Sequence, residues 1–204
     1  MRVQITEQAK RRGVMAHASV LAAHSTDVSS SPVHRGQWLL SRALCAPSPP
    51  PPANANSMSP TQLPGMTTRE WNQAIADKGA CAGCHDRLAP PGYLFEDFDI
   101  IGRRRDTENG KPIETATELA TGVPEIDGPA TDHHDLAQRL AQSEVLPACV
   151  AEHWLGYALA SGHNLDAATR TAVTSALKVS ARDAMHVIAT SDAFRLARRT
   201  VSNP

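Results

Sequence analysis

Apolar residues in the last third of the chain recur at intervals of three and four, the period of an amphipathic helix. Leu136, Ala137, Leu140 and Ala141 mark one such segment over 132–142. A second, opened by Pro147 and closed by Gly162, carries the stripe Leu146, Cys149, Val150, His153, Trp154 and Tyr157. Asp166–Val179 and Ala181–Thr190 read as two more helices, and Ser191 can cap a last short one through Phe194. Nearer the start, residues 12–26 predict a short helical piece. Ser31-Pro32 then opens a helix through Val33, Trp38, Leu39 and Leu44 that stops at Cys45, with serine as N-cap and proline in the first turn. Thr67-Thr68-Arg69-Glu70 has capping-box spacing and predicts a helix through Trp71, Ala74 and Ile75, ending near Gly79. Only one stretch argues for strands: Arg103–Thr107 and Lys111–Thr117 flank Asn109-Gly110, a hairpin turn signal. No internal repeat is visible. The expected fold is mainly α, a helical bundle with one small β-hairpin inserted.

Composition divides this pattern. From Cys45 to Thr68 there is no charged residue, and seven of the fifteen prolines fall there. Pro49–Pro52 predicts an extended polyproline II run, which makes the segment a semi-rigid spacer. The expected organisation is therefore an N-terminal helical segment over 1–44, a Pro-rich spacer over 45–66, a central segment with the hairpin over 67–130, and a C-terminal helical domain over 131–204. The apolar fraction is 41%, but 32 of those residues are alanine, so the core must be lean. Lean composition favours disorder only with high net charge, and here the net charge is −1. That balance argues against a nucleic-acid binder, which needs a basic excess. No run of about 18 apolar residues exists to span a membrane. Met1–Lys10 (MRVQITEQAK) and the run Val14–Ala23, broken by His17 and Ser19, do not read as a secretory signal.

Four cysteines are too few for a disulfide scaffold, and their placement carries the chemistry. Cys81-Ala82-Gly83-Cys84-His85 is the attachment pattern of a c-type haem: two thiols one helical turn apart reach two vinyl groups, and the following imidazole faces the iron. Three other readings stay open at this stage: a local Cys81–Cys84 disulfide, a redox pair, and half of a zinc site completed by His85 or Cys149. The alternation of strand and helix expected around a thioredoxin-type motif is absent. No second CxxC or HxxxH completes a zinc site. The distal iron ligand is not nominated by the sequence. Met185 and His153 are candidates, each weighed against a core role, and water-ligated or five-coordinate iron stands beside them. His133-His134, at a helix start, is expected to be exposed. Cys45 and Cys149 either pair across a long loop or remain two separate buried thiols. Arg103, Arg104 and Arg105 are either a clamp for haem propionates or partners of Glu96, Asp97 and Asp99, and pairing is the expectation. Gly92, Gly102 and Gly110 are assigned to backbone turns. No GxSxG, HExxH, P-loop or dinucleotide fingerprint indicates an enzyme.

Taken together, RRGVMAHASVLAAHS…SPVHRGQWLL…LCAPSPPPP, then CAGCH…FEDFDIIGRRR…NGKPIE, and finally TSDAFR resemble one family. It is the pair of C-terminal domains of unknown function in large planctomycete- and myxobacterial-type cytochrome-c-associated proteins. Two residues depart from its pattern: Ala89 stands where an aspartate is usual, and Arg104 where a tryptophan is usual. The resemblance implies an exported, periplasmic or extracellular protein with covalent haem c at Cys81, Cys84 and His85. It also implies further domains upstream, so this chain is expected to be a C-terminal piece. The expected role is electron transfer or an accessory redox function, with those missing domains or a redox protein as partner. The rival expectation is a non-redox structural or interaction module with no cofactor at the CxxC.

Overall fold

The computed structural model describes residues 11–50, 63–78, 81–159 and 166–196. The chain forms two compact units, Met1–Gln142 and Ser143–Pro204. It is mainly helical, as the periodicity predicts, with small antiparallel strand pairs added.

The first unit begins with a 3-10 turn, Val14–Ala16, and helix α1, Ala18–Ala23. Helix α2, Pro32–Arg42, starts where the sequence predicts: the Ser31 hydroxyl accepts the His34 N–H at 3.3 Å. It ends one turn before Cys45, which adopts a left-handed φ of 49°. Helix α3, Thr68–Ala76, has a complete capping box. The Glu70 N–H donates to the Thr67 hydroxyl at 3.1 Å, and the Thr67 N–H donates to the Glu70 carboxylate at 2.8 Å. The expected end at Gly79 and most of the Pro-rich spacer lie outside the described residues.

Helix α4, Ala82–Tyr93, corrects the assignment of Gly92 to a backbone turn: Gly92 lies in the helix's last turn, together with Pro90 and Pro91. Its packing on α2 explains why. A Cβ on Gly36 would stand 1.8 Å from the Leu88 carbonyl oxygen, and one on Gly92 would stand 2.0 Å from that of Pro32. The two helices therefore touch backbone to backbone, and Gly92 serves that contact rather than a turn. Tyr93, Leu94, Phe95 and Phe98 follow and are all buried.

The predicted hairpin is present but short, pairing β1, Thr107–Glu108, with β2, Lys111–Pro112. Asn109 and Gly110 have φ of 51° and 79°, the two positive values a type I′ turn requires. A second antiparallel pair, β3 (Thr117–Leu119) with β4 (Gly128–Ala130), was not expected, because Gly128-Pro129 reads as a breaker. Asp127 organises its loop by accepting the Thr121 N–H and hydroxyl, each at 2.6 Å, and the Gly122 N–H at 3.1 Å. Helix α5, His133–Gln142, closes the unit with Leu136 and Leu140 buried.

In the second unit, α6 (Val145–Leu159), α7 (Ala167–Leu177), α8 (Ala181–Thr190) and α9 (Asp192–Arg195) surround Ala151, Leu155, Val173, Ala184 and Ile188. Asp166, Ser180 and Ser191 cap the last three. The stripe expected on α6 holds in part: Cys149 is buried and Trp154 packs against the core, but Ala151 and Leu155 join them there and Tyr157 is 91% exposed. Apolar residues surround this helix, so their spacing does not choose a face. No described helix is long and apolar enough to cross a membrane.

Candidate functional site

The Cys81–His85 motif forms the first turn of α4. Cys81 occupies the N-cap position, its N–H held by the Lys78 carbonyl at 2.8 Å. The Cys81 carbonyl in turn accepts the N–H groups of Cys84 at 3.3 Å and His85 at 3.1 Å. Cys81 and Cys84, three residues apart in a helical turn, are therefore neighbours on one face. Both are half-buried free thiols. The His85 Nδ1 atom is buried and has no hydrogen-bond partner among the described residues. Burial pushes this imidazole below its ordinary pKa, against a smaller opposing effect of Asp86. The neutral ring that results is the form that binds a metal.

The rest of α4 is anchored. Leu88, Ala89, Pro91, Gly92 and Tyr93 are buried. The Arg87 guanidinium donates to the Thr121 carbonyl at 3.0 Å and to the Ala46 carbonyl at 3.1 Å. The guanidinium of Arg69 lies 4.6 Å above the Tyr93 ring, and burial pushes the Tyr93 phenol up to about 12.

Arg103, Arg104 and Arg105 follow the pairing expectation. They bridge in turn to Asp99 at 3.2 Å, Asp97 at 3.3 Å and Glu96 at 3.1 Å. The sequence reading missed Arg35, which bridges Glu96 from the other side at 3.2 Å. Arg35 also donates to the carbonyls of Phe95, Phe98 and Asp99 at 2.8, 3.1 and 2.9 Å. The Ser30 hydroxyl completes the Glu96 shell at 2.7 Å. Burial raises the Glu96 pKa and lowers that of Arg35, each opposed first by the other's charge. A lone arginine beside Gly36, Leu39 and Leu40 on the buried face of α2 was the available signal.

His133 corrects the expected exposure of the His133-His134 pair. It is 2% exposed, with its ring centroid 5.7 Å from that of Phe95 and 5.1 Å from that of Phe98. The ring's flat apolar faces suit that aromatic pocket, which outweighs the preference of a helix start for solvent. Met185, expected as core filler or distal ligand, is 58% exposed on α8. His153 is half-buried on α6. Both belong to the second unit, whereas Cys81, Cys84 and His85 belong to the first. Cys45 and Cys149 are likewise divided between the units.

Residues 11–108 match the family model PSCyt3, described as a protein of unknown function (DUF1588). The matching span runs from the residues before α1 to the end of β1 and includes the CxxCH turn. No curated protein and no solved structure matches the chain.

Proposed function

We propose that the first unit is a c-type haem-binding module serving electron transfer or an accessory redox role in a larger exported protein or assembly. Cys81 and Cys84 would hold the haem through thioethers, and His85 would be the proximal iron ligand. The donor chemistry of the turn fits that group. Two free thiols share one helical face, and the adjacent imidazole is held toward its neutral form. Cys81 and Cys84 would supply the sulfur atoms of two thioethers, an addition that consumes no oxidant or reductant. Bound haem would supply a reversible one-electron couple, tuned by its axial ligands and the surrounding polarity. The observation carrying this reading is the half-buried Cys81–Cys84–His85 turn, with both thiols free and His85 Nδ1 lacking a partner among the described residues.

The test is expression with an export leader in a host that matures c-type cytochromes. The reduced spectrum and the pyridine haemochrome are then recorded. A sharp α-band whose haem survives acidified organic extraction is the expected result. A colourless, folded protein would overturn the reading and leave the cysteines a structural role.

Export would place the chain in a periplasmic or extracellular setting, where Cys45 and Cys149 would form a disulfide. Closing a loop of about 100 residues is worth roughly 4–5 kcal/mol in the chain-entropy model. Peptide mapping of the exported protein without reductant should recover the linked pair; two alkylatable thiols at these positions would refute it.

A further inference from the structure

Three ties hold the β1–β2 hairpin to the start of α3. Glu108 accepts from the N–H and the hydroxyl of Thr68 at 2.8 and 2.7 Å, and Lys111 Nζ donates to Glu70 at 2.7 Å. Both of these involve a charged group. The third is neutral: Asn109 Nδ2 donates to the Met66 carbonyl at 2.8 Å, the one hydrogen bond of this side chain among the described residues. Asn109 and Gly110 form the exposed tip. A neutral bond in water is weak net, so the Asn109 amide is repeatedly released.

A released asparagine side chain can be attacked by the backbone nitrogen that follows it, and glycine, with no Cβ, obstructs that attack least. Of the six asparagines in the chain, only Asn109 precedes glycine. The ladder pairs Glu108 with Lys111 and Thr107 with Pro112, so it does not use the Gly110 N–H. A Cβ placed on Gly110 would meet nothing within 4 Å, which leaves room for a ring. Ring closure requires the turn to open, and strands of two residues hold it weakly. Two other positions show what protection looks like. Asn72 is 4% exposed. Asp127, the one aspartate that precedes glycine, accepts three hydrogen bonds from Thr121 and Gly122 and has no ready leaving group.

We propose that Asn109-Gly110 is a site of spontaneous deamidation that unties the hairpin tip from Met66. The Gly110 nitrogen bonds to Asn109 Cγ, the Cγ–Nδ2 bond breaks, and ammonia leaves with the proton of the Gly110 N–H. Water then opens the cyclic imide at either carbonyl, giving aspartate or isoaspartate, with no change of oxidation state. Either product replaces the donor facing the Met66 carbonyl with a carboxylate, so two acceptors meet. Isoaspartate also lengthens the backbone by one carbon inside a two-residue turn that sets the register of the ladder. The Glu108 and Lys111 ties survive, so the hairpin loosens without the unit unfolding.

The experiment incubates the full folded chain in mildly alkaline buffer, then maps its peptides by mass spectrometry with enzymatic methylation of isoaspartate. Conversion at Asn109 to a mixture of aspartate and isoaspartate is expected, ahead of the other five asparagines and of Asp127. Asn109→Gln should abolish the signal, because its longer side chain does not close the five-membered ring. Hydrogen exchange at the Lys111 amide should be faster in the converted chain, and Asn109→Asp should reproduce the part due to the carboxylate. An Asn109 left intact while the same chain in guanidinium converts there would overturn the proposal, since the turn would then protect its amide. Earlier conversion at any other position would overturn it too, and unchanged Lys111 exchange after conversion would overturn the untying.

Discussion

The guanidinium of Arg35 and the carboxylate of Glu96 meet at 3.2 Å although 61 residues separate them in sequence, and each side chain is only 3% exposed. This pair ties α2 to the turn that follows α4. Removing Glu96 leaves the buried Arg35 charge without its bridging carboxylate, whereas removing Arg35 leaves Glu96 its bridge to Arg105. Glu96→Leu should therefore destabilise the unit by about 3–5 kcal/mol, and Arg35→Met by less. The double substitution should cost clearly less than the sum. Urea unfolding of the three variants measures the coupling, and strictly additive costs would show that the pair is not a unit.

Two kinds of helical glycine make opposite predictions. Gly36→Ala and Gly92→Ala each force a methyl group into a neighbouring backbone and should destabilise by at least about 2–3 kcal/mol. Gly83→Ala, within the CxxC turn, meets nothing within 4 Å and should stabilise α4 by up to about 1 kcal/mol. Thermal melts of the three variants decide it; a stable Gly92→Ala protein would contradict the backbone contact.

His85 predicts a specific pH dependence before any haem is attached. Its folded-state pKa is depressed by burial, so protonation favours the unfolded chain. The stability it contributes is fully present above the ordinary imidazole pKa of about 6.5 and is lost as pH falls through the lower folded value. An NMR titration of the ring should give a midpoint below 6.5. In His85→Gln, the acid-side loss from this group should vanish.

Glu70 predicts a second dependence, at lower pH. Hydrogen bonds from Lys111 and Thr67 hold its carboxyl below the usual range. The support this gives α3 is present above the unfolded pKa of about 4.3 and disappears as pH falls through the folded value. Circular dichroism of Glu70→Gln should show a flatter acid limb than the parent; an unchanged limb would dismiss the capping box as a source of acid sensitivity.

Replacing the motif residues separates attachment from ligation. Cys81→Ser with Cys84→Ser should abolish extraction-resistant haem. His85→Ala should leave any covalently held haem in place while altering its spectrum and potential. Equal loss of colour in both would argue against distinct roles for thiols and imidazole.

Local chemistry made much of this fold legible in the sequence. Ser31, Thr67 and Ser191 announce their helices because a capping hydroxyl acts within three residues, and Asn109-Gly110 announces its turn because both positions need positive φ. The arginine pairs were legible because Arg103–Arg105 and the acids Glu96–Asp99 lie within ten residues of one another. The failures are tertiary. Pro90 and Pro91 stay helical because α2 packs against their turn, and no local rule contains α2. Arg35 and His133 are polar residues whose burial depends on a turn from another part of the chain. Strands of two or three residues, such as β3 and β4, are too short to show a period.

The backbone contact between α2 and α4 has a mechanical consequence. Helix α4 is gripped at Leu88 and Gly92, and its reactive turn begins at Cys81, at the opposite end, about 10 Å of helix rise before the grip. It behaves as a beam clamped at one end. Sliding or rotation of the whole helix is blocked by atoms already in contact. Whatever accommodates a group at Cys81, Cys84 and His85 must therefore be bending or fraying of the first turn, while the half of the helix from Leu88 to Gly92 keeps its place against α2.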